Sequence, residues 1–192
     1  MVTLALYLLY VTTMFHFKQL PLSGAFLITL PSFDDHRGNF TKVFQNSFLE
    51  NAGINFNLKE SYFSLSKKDV IRGMHFQTPP HHHAKIVFCP QGSILDAIVD
   101  LRKGSATFGQ HFIAELSSEN HLAYYIPEGF AHGFKALTED AMTYYLVSSE
   151  YSKDHDTGIR YDSVGIDWQC NEPILSERDL SFVKMEDFNS PF

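Results

Sequence analysis

Through most of its length the chain repeats one pattern, a short run of β-like sequence closed by a turn signal, and a helical period is rarely sustained. Residues 26–30, 39–44, 57–65, 85–88, 93–101, 108–116, 121–126 and 141–148 read as strands, rich in β-branched and aromatic side chains. Asp34-Asp35-His36-Arg37-Gly38, Pro90-Gln91-Gly92 and Lys103-Gly104-Ser105 read as turns between them. The alternation is cleanest over 93–101: Leu95, Ala97, Val99 and Leu101 share one face, and Ile94, Asp96, Ile98 and Asp100 the other. Many strands at near-even spacing, without βαβ alternation, predict an all-β fold, a sandwich or jelly-roll barrel with a few short helices. One helix is expected from an Asn46/Ser47 cap to a stop at Gly53, and a second short one near Ser176.

At 192 residues the chain suits one domain, expected over 16–192, with a sizeable core. The net charge of -7 comes with no basic stripe, which argues against a nucleic-acid partner. A phosphorylated ligand would have to be held by a few local Arg and Lys side chains. The aromatic content of 15% suits strands and the lining of sugar or base pockets alike, so it decides neither. Cys89 and Cys170 form no CxxC and no disulfide framework, which fits a reducing cytoplasm. Residues 1–15 are nearly all apolar, yet too short for a membrane span and without the basic lead or cleavage site of a signal peptide. They read as an apolar extension, an over-extended and non-native start, with Met14 the alternative initiator; no membrane partner is expected.

Pro127-Glu128-Gly129-Phe130-Ala131-His132 resembles the second signature of cupin barrels, Pro-x-Gly-x-x-His, in which a turn delivers a histidine to the barrel mouth. The first signature places His-x-His shortly before a metal-binding glutamate. His81 and His83 supply that pair, and Gly92 lies seven residues beyond position 85, but position 85 is Lys. An ammonium has no lone pair to give and repels a divalent ion, so no metal is expected. On this reading His81-His82-His83 is a solvated turn. There is also no G-x-G-x-x-G turn for a dinucleotide, and no cofactor is expected.

Without a metal the same mouth offers His75 as a base, His132 as a second imidazole, Lys85 as a cation and Tyr145 as a phenol. Imidazole exchanges protons near neutral pH, a carboxylate behind it fixes its tautomer, and an ammonium steadies charge growing on a carbonyl oxygen. Together these groups suit proton abstraction beside a carbonyl followed by reprotonation. Each taken alone reads equally as an ordinary barrel residue.

The longer motifs narrow the choice. Arg72-Gly-Met-His-Phe-Gln, Ala84-Lys-Ile-Val, Val99-Asp-Leu-Arg-Lys-Gly-Ser and Ile126-Pro-Glu-Gly-Phe-Ala-His-Gly-Phe resemble the dTDP-4-dehydrorhamnose 3,5-epimerase family. Gly158-Ile-Arg, Gly165-Ile-Asp-Trp and Pro173-Ile-Leu-Ser-Glu-Arg-Asp continue the likeness, which runs in order from Phe26 to Asp179. The resemblance implies a metal-free cupin jelly roll, usually a homodimer, that isomerises nucleotide-linked 4-keto sugars at carbons 3 and 5. It implies His75 as catalytic base, Asp179 as its carboxylate, Tyr145 as proton donor and Lys85 beside the keto oxygen. Arg72 and His132 fall on substrate-contacting positions, and Arg37 on an arginine that helps hold the nucleotide diphosphate. Asp156 and Arg178 replace a glutamate and a lysine at ligand-facing positions.

Some positions depart from the thymidine-specific pattern. Thr41-Lys42 stands where a Glu follows Arg-Gly-x-Phe, and Glu60-Ser61-Tyr62 stands where Gln-x-Asn is usual. Glu60 is then either an acceptor for a guanine edge or a plain strand residue. A GDP- or CDP-linked heptose or deoxyhexose of a capsule or lipopolysaccharide pathway stays open as substrate. So does a relative that inverts one carbon or shifts the keto group. A metal-dependent cupin enzyme and a non-catalytic sugar-binding module are the remote alternatives.

Overall fold

Along the central strands side chains alternate between two apolar environments, and this alternation builds two stacked sheets. The computed structural model describes residues 14–192, so the expectation for 1–15 lies, apart from Met14 and Phe15, outside the described residues. One sheet has the order β1 (His16–Gln19), β2 (Phe26–Thr29), β10 (Leu122–Ile126), β7 (Lys85–Gln91), β12 (Ala141–Val147), β5 (Glu60–Ser66). The other has the order β13 (Asp156–Gly158), β6 (Ile71–Gln77), β11 (Phe130–Ala136), β8 (Ser93–Asp100), β9 (His111–Ser117). A separate hairpin pairs β3 (Ser32–Asp35) with β4 (Gly38–Thr41). Pairings within the sheets are antiparallel, and the architecture is the cupin jelly roll.

Facing side chains of the two sheets form the inner core, with Val87, Ile94, Ile98, Leu116, Tyr124 and Phe134 among its buried members. The opposite faces are covered as well. Helix α1 (Asn46–Asn51) sets Leu49 beside Ile86, Phe88 and Leu146 on the first sheet. The C-terminal segment, with helix α2 (Glu177–Ser181), packs Ile159, Val164 and Trp168 against Leu95, Ala97 and Val99 on the second. The two faces read from residues 93–101 are thus both used, one inward and one under the C-terminal cover. Each such side chain taken from water contributes about 1.5–3 kcal/mol, offset by the chain entropy of ordering it.

Several elements differ from the sequence expectation. β6 and β11 were not among the expected strands because Gly73, His75, Gln77, His132, Gly133 and Lys135 break their apolar pattern. Residues 39–44 do not form one strand: β4 ends at Thr41, and Val43 and Phe44 leave to pack on the first sheet's outer face. Helix α1 is capped at Gln45 without a side-chain bond, while Asn46 Nδ2 donates to Glu50 Oε1 one turn on, at 2.7 Å. Ser176 caps α2 as expected, its hydroxyl accepting from Asp179 N–H at 3.0 Å.

The pairing of β6 with β11 positions the later chemistry. His75 lies directly opposite His132, and the register shifts between His132 and Phe134. At that shift two glycines touch. A Cβ on Gly133 would meet Arg72 O at 2.9 Å and Gly73 Cα at 3.0 Å, and Gly73 itself has φ +146. Only residues without a Cβ allow the two backbones to close and set the imidazoles side by side. Gly133→Ala is expected to lower stability by about 1–3 kcal/mol through this overpacking. A reduced urea midpoint at unchanged m value would show it, and an unchanged midpoint would mean that the strands part without cost.

Candidate active site

The inward positions turn polar toward one end of the space between the sheets and there line a cavity of about 330 Å³. Strand alternation decides which residues enter. Lys85 precedes the inward Val87 and Cys89 on β7, Tyr145 sits with Val147 on β12, and Glu60, Tyr62 and Ser64 follow one another on the same face of β5. From the second sheet come Arg72, His75 and Gln77 on β6 and His132 on β11. His75 and Tyr145 therefore reach one cavity from facing sheets.

His75 is held from behind. Its Nε2 lies 2.7 Å from Asp179 Oδ1, so the ring N–H donates to the carboxylate and the lone pair rests on Nδ1. Asp179 is buried, which raises its pKa, but its bonds from His75, Gly73 N–H and Ser176 outweigh burial and hold it below the usual carboxylate range. The edge of the Phe182 ring supports the imidazole at 5.7 Å between centroids, and the Arg178 guanidinium covers the same Phe182 at 5.2 Å. The His75 ring is thus held from two directions.

Lys85 is buried and donates from Nζ to the carbonyl of His75 at 3.2 Å. Burial lowers its pKa to about 8 against the opposing pull of Asp156 and Asp96, so the cation survives at neutral pH with little margin. His132 and Asp96 form a second imidazole–carboxylate pair, Nε2 lying 2.9 Å from Oδ2, with both residues almost fully enclosed. Burial pushes the Asp96 carboxyl up and the His132 imidazole down, each against the opposing pull of its partner. Tyr145 stacks on Tyr62 at 4.8 Å and meets the edge of His132 at 5.7 Å. Burial, with the nearby Tyr62 and Asp96, raises its phenol well above the ordinary value, so it stays protonated.

Glu60, Tyr62, Asp156 and Arg178 line the rim of the cavity. Glu60 Oε2 accepts from Tyr151 N–H at 2.7 Å, and Arg178 is paired with Asp156 at 2.7 Å. Arg72 donates to Ser66 Oγ at 3.0 Å, which leaves other guanidinium hydrogens free for a ligand. Arg37 is not brought to this cavity. It stands at the β3–β4 turn, exposed and ion-paired with Asp35 at 2.5 Å.

Sequence reasoning missed Ser64, Gln77, His83, Ser149 and Tyr151, which also line the cavity, and Asp96 behind His132. Asp96 left a usable signal, a carboxylate amid apolar residues on the buried face of a strand. Ser149 and Tyr151 lie beyond the end of β12 and left none. The three consecutive histidines diverge: His81 packs at a tilt against His155 with centroids 4.4 Å apart, His82 pairs with Glu128 at 3.1 Å, and His83 turns to Gln77. Among the described residues no cluster of three His, Cys, Asp or Glu is placed to hold a metal ion.

Both the sequence and the fold are similar to those of known proteins. A sequence model of dTDP-4-dehydrorhamnose 3,5-epimerase matches residues 19–187. The curated dTDP-4-dehydrorhamnose 3,5-epimerase of Sinorhizobium fredii is 38% identical over 170 residues, covering 86% of this chain and 87% of its own. The crystal structure of the Sulfolobus tokodaii enzyme of that name superposes with a TM-score of 0.86 at 42% identity, covering 92% of this chain and 98% of the other. A Legionella pneumophila dTDP-6-deoxy-D-glucose-3,5-epimerase, solved with dTDP-4-keto-L-rhamnose, superposes at 0.87 with 32% identity, covering 92% and 95%. With its fold and its motifs matched along nearly the whole described length, the chain belongs to the dTDP-4-dehydrorhamnose 3,5-epimerase family of isomerases.

Proposed function

We propose that the cavity epimerises carbons 3 and 5 of a dTDP-linked 4-keto-6-deoxyhexose by proton abstraction and return. The observation that carries this reading is the entry of His75 and Tyr145 into one cavity from facing sheets. A flat enolate between them has one group on each side. The 4-keto group acidifies the hydrogens on both neighbouring carbons. His75 Nδ1 takes one proton, the C–H electrons move into an enolate, and the oxygen's negative charge is countered by the Lys85 ammonium. Tyr145 then gives its phenolic proton to the opposite face of the carbon, which inverts it. The tyrosinate left behind lies within the field of Arg72. Solvent exchange returns one proton to Tyr145 and removes one from His75. Protons move and no electrons are gained or lost, so the side chains at hand balance the reaction.

Asp179 serves as the positioning carboxylate of His75, and His132, whose Nε2 is bound to Asp96, as a second imidazole facing the sugar. Arg72 suits the diphosphate, with Asp156 and Arg178 shaping the rim. The tie from Glu60 to Tyr151 N–H gives that acid a structural use, so dTDP, the nucleotide of the relatives, fits without a change of base. Residues 16–192 act as a single domain. A homodimer belongs to this reading: Phe33 and Phe40 on the hairpin and Phe63 and Leu65 on the edge strand β5 are half exposed or more in several cases, an apolar surface that a second copy would cover. Such a pairing also gives Arg37 a use, since a hairpin that does not line its own cavity is free to face another. Among the described residues no helix is long and apolar enough to cross a membrane, and the free Cys89 and Cys170 fit a reducing cytoplasm.

In deuterated water, His75→Asn is expected to reduce exchange of the sugar's carbon-bound hydrogens by about 10²–10⁴-fold, as removal of a general base does. Exchange at the wild-type rate would remove His75 from that role. Tyr145→Phe should slow product formation more than it slows exchange, because the enolate still forms; equal slowing of both with unaltered binding would end the donor assignment. Lys85 is cationic below its pKa of about 8, so kcat/KM should hold up to that pH and fall tenfold per unit above it. The same alkaline limb in Lys85→Met would show that another group sets it.

A further inference from the structure

His83 belongs to the histidine run that the proposed reaction leaves unused, yet it lines the cavity. Its neighbour Gln77 fixes its tautomer. Gln77 Oε1 accepts from Ser152 N–H at 2.6 Å, which identifies the other end of the amide as the NH2 group. That NH2 lies 2.8 Å from His81 O, 3.2 Å from Glu150 O and 3.1 Å from His83 Nδ1. An amide NH2 only donates, so a proton on Nδ1 would point at hydrogens. Nδ1 therefore carries the lone pair and Nε2 the proton. This Nε2–H is buried and meets no acceptor among the described residues. Burial, then the charges of Lys85 and His82, lower the imidazole pKa to about 3, so the ring stays neutral and offers a single donor.

A buried donor without an acceptor is destabilising and is rarely retained unless something outside the chain completes it. His83 lies two residues before Lys85 and lines the same cavity as His75 and Tyr145, where the sugar ring sits in the proposed reaction. A neutral N–H matches an uncharged oxygen, whereas a phosphate is better matched by the guanidinium of Arg72. We infer that His83 is a specificity-determining residue whose Nε2–H, recessed in the cavity wall, donates to a hydroxyl or carbonyl oxygen of the substrate's sugar. The assignment rests on the nucleotide-sugar reading above and adds to it a residue outside the proton-transfer set.

The test compares TDP and dTDP-glucose binding by calorimetry, with ligand-free melting temperatures, in wild type, His83→Leu and His83→Gln. His83→Leu is expected to bind TDP as wild type does and dTDP-glucose about tenfold more weakly. His83→Gln, which keeps an N–H donor of similar reach, should recover most of the difference. The ligand-free melting temperature of His83→Leu should be unchanged or higher, because the variant removes an unpaired donor. Equal binding of dTDP-glucose by wild type and His83→Leu would overturn the inference. So would an equal loss for both ligands, accompanied by a lower melting temperature, which marks a structural role. Wild type that binds neither ligand would sink the nucleotide-sugar reading itself, and this assignment with it.

Discussion

The hydrogen bond from His75 to Asp179 joins residues 104 apart in sequence, and the rest of the site is arranged around it. Asp179 arrives on a helix of five residues whose start is fixed by Ser176 and whose segment lies over the outer face of the second sheet. Its carboxylate is 4% exposed and also lies 3.4 Å from Gly73 N–H, at the point where β6 and β11 touch. One acidic group thus ties the C-terminal cover to the strand bearing the proposed base. It also dictates which ring nitrogen keeps its lone pair. A loosened helix would cost orientation at the imidazole before it cost the barrel its core.

Around that contact the cavity gathers ionisable groups that water would otherwise screen. Lys85, His132, Asp96 and Tyr145 are all buried, and each has its protonation set mainly by the loss of solvent. A cation in such surroundings acts on a growing enolate more strongly than it would in water, at the cost of holding its own proton less firmly. The buried His132 imidazole and Asp96 carboxyl are hydrogen-bonded to each other, which offsets part of the cost of enclosing them. The result is a site in which the buried Lys85 ammonium stands near the proposed enolate oxygen, with Arg72 lining the same cavity.

The sequence made the fold class legible because the period of two survives wherever a strand is covered on both faces, as over β8, where each half of the alternation found its own core. It failed at β6 and β11 for the reason that makes them interesting. Polar side chains and paired glycines replace the apolar alternation where two strands press together and present histidines. Most of the cavity-lining residues were found through long motifs, not through period or composition. Arg37 shows the limit of that route, since a motif places a residue in a family pattern without saying whose cavity it faces. Tyr151 and Ser149 were invisible because loop residues at a rim carry no periodic signal, and Asp96 was visible only as an acid in an apolar strand.

The helix that delivers Asp179 lies close to the end of the chain, while the histidine it orients lies in the first half. A polypeptide emerging from the ribosome has most of both sheets in hand before that carboxylate exists outside the exit tunnel. On the proposed reading the imidazole is therefore aligned last, after the scaffold, and a chain shortened ahead of Ser176 lacks the carboxylate that orients it.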